Sequence, residues 1–238
     1  MDKSKRGLKV CIIIPAYNEA AVIEKVIKSV FKEFSKSHYA ITVLVVNDSS
    51  KDDTAVKAKK AGATVVSHIL NTGVGGATAT GLKYAKNNGF DVAATMDADG
   101  QHDPKDVHAG IDTIIQRNVD LLIGSRLISS TDMSKLKIIG NKGLGLVTYL
   151  LFGVNSTDSQ SGLRVFSQKS LNKLYWETDG YEFCSEMLWR AKQQRLIIGE
   201  YPIRTIYTNY SRQKGQNNWN AINIVKTLLK RRVLELFG

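Results

Sequence analysis

Asp97 and Asp99 stand two residues apart at the end of the apolar run Val92 to Met96. On extended chain such residues point to the same side, so the two carboxylates share one face. Two anions held that close repel unless a cation lies between them. Oxygen-only ligands suit Mg²⁺ or Mn²⁺, hard ions that keep several waters and take up substrate phosphates. Gln101 and His102 follow within reach. A carboxylate pair at this spacing also occurs in solvated turns. The preceding strand favours the metal, because open α/β sheets bind ligands beyond the carboxyl ends of their strands.

The rest of the chain reads as the sheet that such a pair requires. Val10 to Ile14 is a β-branched run typical of a strand buried on both faces, ended by Pro15. A helix follows from about Ala20 to Phe34, with Val22, Ile23, Val26, Ile27, Val30, Phe31 and Phe34 on one face. Ile41 to Val46 is a second buried strand. Ser50 is placed as the N-cap of the next helix, and Gly62 closes it. Asp48, after that strand, reads either as a turn residue or as a partner for a nucleoside. Thr64 to Ser67 is a third strand. Gly73, Gly75 and Gly76 open the helix after it but fit no phosphate-loop pattern. They read as close helix packing, with helix amides near a ligand. Asp103 caps a helix that begins at Pro104. Asp120 to Gly124 is a fifth strand, followed by Ser125 and Arg126. Short loops and repeated βα units predict a parallel, doubly wound sheet covered by helices. Later segments predict a helix from Tyr181 to Arg195 and an edge strand at Tyr201 to Ile203.

The totals bound the function. The 238 residues suffice for one sizeable domain with its own core, and the composition (43% hydrophobic, 23% charged) is globular. A formal net charge of +11 predicts an anionic partner: nucleic acid, an anionic membrane or a phosphorylated substrate. Cys11 and Cys184 lie among apolar residues with no metal spacing, so reduced thiols and a cytosolic setting are expected. No signal peptide is expected, nor a transmembrane helix: the longest weakly polar run, Gly143 to Val154, is short of the about 20 residues a span needs.

Five motifs in order then resemble family 2 glycosyltransferases of the GT-A fold. They are Ile12 to Ala20 (IIIPAYNEA), Val46 to Thr54 (VNDSSKDDT), Met96 to His102 (MDADGQH), Gly124 to Arg126 (GSR) and Asp158 to Phe166 (DSQSGLRVF). The last two, with Glu200 to Ile203, are most similar to the branch of dolichol-phosphate mannose synthase and bacterial polyprenyl-phosphate glycosyltransferases. The resemblance implies a mostly parallel central sheet over residues 8–210, then a mobile loop and a basic amphipathic C-terminal helix over 211–238. It implies that Pro15, Ala16, Tyr17, Glu19, Asp48 and Gly73 hold the nucleoside end of a UDP- or GDP-linked sugar. Asp97, Asp99 and Gln101 would hold Mg²⁺ or Mn²⁺ on its diphosphate, and Arg126 and Arg164 would face phosphates. Arg212 matches a loop that closes over the nucleotide in relatives, although the residues after Gly215 depart from their pattern.

The implied reaction is inverting transfer of a hexose to polyprenyl phosphate at the cytoplasmic membrane face. The alternative acceptor is a hydroxyl of a saccharide or glycolipid. A hydroxyl needs a general base, for which Asp158 and Glu186 are candidates. A phosphate monoester arrives ionised and needs only cations to hold it. The bland readings are a turn for Asp158, an exposed helix position for Glu186 and surface ion pairs for the arginines. Lys135, Lys137 and Lys142 precede the apolar Leu144 to Phe152, where relatives have an interfacial helix. Ile222, Val225, Leu229, Val233 and Leu236 recur at helical spacing opposite Lys226, Lys230 and Arg231. That pattern suits either an anionic lipid surface or core packing with a solvated basic face. A separate membrane protein is a further candidate partner. Nucleic acid is not expected, since neither aromatic ladders nor a recognition-helix motif is present.

Overall fold

The structure is a computed structural model that describes residues 7–128, 135–206, 210, 225–230 and 232. Its strands are β1 (Lys9–Ala16), β2 (Ala40–Asn47), β3 (Thr64–Ser67), β4 (Val92–Thr95), β5 (Leu121–Ser125), β6 (Arg164–Ser167) and β7 (Ile198–Pro202). They form one sheet in the order β3-β2-β1-β4-β6-β5-β7. Every pairing is parallel except those of β6, which runs antiparallel to both β4 and β5. The helices are α1 (Ile23–Phe34), α2 (Thr54–Lys60), α3 (Gly73–Asn87), α4 (Pro104–Arg117), α5 (Lys135–Phe152), α6 (Gln168–Lys173) and α7 (Phe183–Gln193).

Alternation along the strands divides the apolar residues between two cores. Val10, Ile12 and Ile14 pack with Val26, Ile27 and Val30 of α1, Ala58 of α2 and Val107 and Ile111 of α4. Cys11 and Ile13 pack with Ala77 and Leu82 of α3, Leu144 and Phe152 of α5, and Met187 and Leu188 of α7. Both faces of β1 are therefore covered, which is why its sequence is continuously β-branched rather than alternating. Cys11 and Cys184 are free and buried.

Several boundaries move. Pro15 does not end β1: it pairs with Val46, while the ladder to β4 reaches only Ile13. Its missing N–H therefore costs no ladder bond to β4. The helix expected from Ala20 starts at Ile23, whereas the next, expected to begin at Asp52 and Thr54, does start at Thr54. Ser50 does not cap it. Its hydroxyl instead accepts from the Asn18 amide, tying the β1–α1 loop to the β2–α2 loop. Asp103 caps α4 as expected, accepting from the Lys105 amide with Pro104 in the first turn. The short strand β6 was not visible as a strand in the sequence.

Asp120 pins the far half of the sheet. Its carboxylate accepts from Lys169 Nζ and the Ile197 amide, both at 2.8 Å, and its carbonyl accepts from the Ser167 amide. Burial alone would raise its pKa, but the Lys169 ammonium, the Ile197 amide and the Ser167 hydroxyl outweigh this and hold it below the usual value. A carboxylate lowered in the folded state contributes stability that is complete above the unfolded pKa and lost as pH falls through the folded one. Asp120→Asn should lower stability by about 2 kcal/mol at pH 7. The difference from the unsubstituted protein should shrink below about pH 4. Chemical denaturation at both pH values checks this.

Candidate active site

The carboxyl ends of β1, β2 and β4 lie side by side, and the loops leaving them build a single rim. Asp97 and Asp99 follow β4. The Asp97 side chain is 47% exposed, and its backbone amide donates to Nδ1 of the buried His102 at 3.0 Å. Asp99 accepts from the Gln101 amide at 2.9 Å and from the Gln101 side chain. Burial and the Asp97 charge push the Asp99 carboxyl above the usual range, against the hydrogen bonds from Gln101. That is the expected signature of two anions sharing a site without a cation. No third His, Cys, Asp or Glu among the described residues completes a metal cage. The pair fits a hard divalent ion whose other ligands are phosphate oxygens and water. Gln101 is oriented onto Asp99, so it serves the pair as a hydrogen-bond support.

Gly162 sets the position of Asp97. A Cβ built on it would lie 2.3 Å from Asp97 Oδ1 and 2.8 Å from its carboxyl carbon. The Gly162 carbonyl also accepts from the Thr95 hydroxyl at 2.8 Å. The loop before β6 thus rests directly on the carboxylate, and any side chain there displaces it. Gly162→Ala is expected to weaken Mn²⁺ binding at least tenfold while leaving the melting temperature within a few degrees. Paired calorimetry and thermal unfolding would show it.

The acidic and basic residues around this loop are held by protein contacts. Asp158 is fully buried, and its two oxygens accept from Arg126 Nε at 2.7 Å and Nη2 at 2.8 Å, with the Arg126 amide at 3.1 Å. Glu200 holds the same loop by accepting from the Thr157 amide and the hydroxyls of Ser156 and Thr157. Glu186 is not the exposed helix residue considered from sequence. It is fully buried in α7 and accepts from the Thr178 amide and hydroxyl and from the Glu177 amide. Arg164, expected to face a phosphate, is 1% exposed and turns into the layer under α7.

The 177–179 segment that Glu186 anchors explains the glycines of α3. The Gly75 amide donates to the Asp179 carbonyl at 2.7 Å; a Cβ at Gly73 would meet that carbonyl at 2.5 Å, and one at Gly75 would meet the Thr178 carbonyl at 2.5 Å. Close packing is their reason. The Gly75 amide is used by protein and the Gly73 amide bonds Asn71, so neither points at a ligand. Asp48 is buried. Its Oδ1 accepts from the Thr72 amide, the Thr72 hydroxyl and His68, which fixes the α3 entry. Ala16 and Glu19 are buried, Pro15 is half-buried and Tyr17 is 43% exposed at the rim. Glu19 accepts from the Tyr210 hydroxyl at 2.7 Å, so the chain beyond β7 returns to the first loop. Arg212 lies outside the described residues.

The family model for glycosyl transferase family 2 matches residues 11–175. The chain belongs to glycosyl transferase family 2. Its likeness to named members runs over most of its length. The UDP-N-acetylglucosamine–dolichyl-phosphate N-acetylglucosaminyltransferase of Methanococcus voltae is 40% identical over 240 residues, covering 92% of this chain and 94% of its own. The undecaprenyl-phosphate mannosyltransferase of Micrococcus luteus is 30% identical over 226 residues, covering 90% and 88%. Among solved structures, the Mycobacterium tuberculosis glucosyl-3-phosphoglycerate synthase with Mn²⁺, UDP and glucosyl-3-phosphoglycerate gives a TM-score of 0.71 at 20% identity, over 96% of this chain and 80% of that one. The mannosyl-3-phosphoglycerate synthase of Rubrobacter xylanophilus gives 0.73 at 17%, over 96% and 74%. At these identities the likeness is one of fold, and the fold is GT-A. The family 2 motifs named from sequence therefore sit at the ends of β1, β2, β4 and β5 and along the loop before β6. Gly162, Glu200 and the structural role of Glu186 were missed. Gly162 was in plain view inside a motif, but its meaning depends on the close approach of Asp97.

Proposed function

We propose that the chain transfers a hexose from a UDP- or GDP-linked sugar to polyprenyl phosphate, with inversion at the anomeric carbon. The observation that carries the choice of acceptor is the Arg126–Asp158 pair. A general base must have a free lone pair aimed at the substrate, and both Asp158 oxygens are turned onto one guanidinium. Glu186 is likewise spent on the 177–178 amides. A site with a fixed guanidinium, whose two candidate bases Asp158 and Glu186 are both engaged by protein, suits an acceptor that is already an anion. The phosphate oxygen attacks the anomeric carbon, the bond from that carbon to the donor's diphosphate oxygen breaks, and the nucleoside diphosphate leaves. Relatives named for dolichyl-phosphate and undecaprenyl-phosphate acceptors support this reading.

Asp97 and Asp99 would hold Mg²⁺ or Mn²⁺ against the diphosphate. A divalent ion there supplies Lewis-acid neutralisation of the leaving group. The chain's own contribution is to set the carboxylates, through His102 beneath the Asp97 amide, Gln101 on Asp99 and Gly162 against Asp97. Pro15, Ala16, Tyr17, Glu19 and Asp48 would line the nucleoside side.

A lipid acceptor brings the protein to a membrane, and α5 provides a face for it. Leu146 (58% exposed), Tyr149 (53%) and Leu150 (71%) form an outward stripe, while Leu144, Thr148 and Phe152 turn inward. No helix among the described residues is long and apolar enough to cross a membrane. The described turn 225–230 is mixed: Leu228 is buried in the core, while Lys226, Leu229 and Lys230 are exposed. We place the protein peripherally on the cytoplasmic face, resting on α5 and on anionic headgroups. Replacing Leu146 and Leu150 with Glu should cut co-flotation with anionic vesicles at least tenfold without lowering the melting temperature.

The test of the function is sugar transfer to a short-chain polyprenyl phosphate, with UDP- and GDP-sugars in parallel and Mn²⁺ against EDTA. Metal-dependent glycolipid from one donor is expected. Donor turnover only with a saccharide hydroxyl would move the acceptor, and no donor binding would overturn the reading.

A further inference from the structure

Arg164 carries a charge into the interior with no carboxylate to meet it. Nη2 donates to the Ser159 carbonyl at 2.7 Å, and Nη1 lies 3.0 Å from Met187 Sδ. The guanidinium carbon is 5.5 Å from the Phe183 ring centroid. Nε has no hydrogen-bond partner. No acidic side chain among the described residues forms an ion pair with it. A buried guanidinium is costly unless paired, and an apolar side chain of similar volume would fill this place at less cost.

Its place in the sheet indicates what the charge serves. Arg164 lies opposite Thr95 in the β4–β6 register, and directly opposed residues share a face. The side chains of Thr95 and Asp97 both meet Gly162, so Asp97 stands on that face too, nearer the rim. The Cys184 thiol on α7 lies within electrostatic range of Arg164, Asp97, Arg126 and Asp158 together. Arg126 and Asp158 offset one another, which leaves Arg164 as the uncompensated cation beneath Asp97. In a packed layer such a charge is weakly screened.

We propose that Arg164 is a positioning residue for the donor: its buried charge is a standing counter-charge for the diphosphate bound at Asp97 and Asp99. The proposal rests on the reading of that pair as the donor's metal site. It assigns Arg164 no contact with the substrate. Its effect is to favour the anion over the bare cation at the rim, and so to favour the negative charge that grows on the leaving diphosphate.

Arg164→Met separates this from a structural role, because the charge acts on cation and anion with opposite sign. With the full chain at saturating Mn²⁺, affinity for UDP, or for GDP if that is the nucleotide bound, should fall at least tenfold by calorimetry. Affinity for Mn²⁺ alone, read by water-proton relaxation, should rise at least twofold. The melting temperature should hold or increase. Arg164→Lys keeps the charge and should keep nucleotide affinity within about threefold. Loss of both affinities together, collapse of the Met variant, or a Lys variant as impaired as the Met variant would overturn the proposal. If the unsubstituted protein binds neither nucleotide with Mn²⁺, the donor-site reading itself fails and takes this proposal with it.

Discussion

Asp97→Ala should lower sugar transfer at least about 10³-fold, a loss of about 4 kcal/mol from the barrier, while the fold survives. The size follows from what the side chain does. A group that neutralises charge developing on a leaving diphosphate is worth about as much as an oxyanion-hole donor, about 3–4 kcal/mol. Survival of the fold follows from how little else depends on it. The Asp97 side chain is half-exposed, and the local chain path is held by its backbone amide on His102 and by the Thr95–Gly162 bond. Removing one of two facing anions also relieves their repulsion, so the metal-free protein should melt no lower than the unsubstituted one. Mn²⁺ with the nucleoside diphosphate should raise the melting temperature of the unsubstituted protein and leave that of the variant unmoved. Retention of a tenth or more of the transfer rate would show that Asp97 does not hold the donor's metal.

The second large effect is at Arg126. Asp158 is fully buried and Arg126 only 21% exposed, so Arg126→Met leaves a carboxylate in the interior with its partner gone. Breaking such a pair from one side costs about 3–5 kcal/mol. For a chain of this size, that corresponds to a melting temperature lower by about 6–20 °C. Changing Asp158 to Asn as well should recover much of the stability, because the stranded charge is removed. It should not recover function. With an anionic acceptor, both the single and the double variant should raise the acceptor KM at least tenfold and leave donor affinity within about twofold. With a hydroxyl acceptor and Asp158 as base, Asp158→Asn alone would abolish kcat and spare both affinities. Steady-state kinetics on the three variants decides between the two.

The parts of this molecule legible in its sequence were those set by local pattern. Continuous β-branched runs marked β1 and β2, and the Asp103–Pro104 start of α4 was readable because capping is a short-range matter. The helix expected over Tyr181 to Arg195 is found as α7, Phe183–Gln193, because helical spacing is likewise a local pattern. Harder to read was whatever depended on pairing across the fold. β6 is four residues long, contains a buried arginine, and is a strand only because β4 and β5 flank it. Glu186 looks like an ordinary helix-surface acid until α7 is seen to carry the 177–178 amides. Asp97 and Asp99 were recognisable by spacing at a strand end, but the glycine that fixes one of them lies 65 positions further on, and only the β4–β6 ladder brings it there.

The reversed strand β6 has a consequence for how such an enzyme can be recombined. The residues proposed to hold the donor and its metal lie in the first hundred positions, on β1, β2 and β4 and their loops, while Gly162 and Arg164, which position them, lie in the later portion. Those proposed for the acceptor, Arg126 with Asp158, lie between β5 and β6. The two portions are joined in sequence only through α4. Within the sheet they meet along the β4–β6 ladder of four residue pairs, and outside it where the 177–179 segment packs on α3 and Tyr210 reaches Glu19. A crossover placed in α4 would exchange acceptor preference as a block and leave the nucleotide preference behind. The incoming block must bring its own glycine at position 162, since that backbone is the floor on which the other block's aspartate stands.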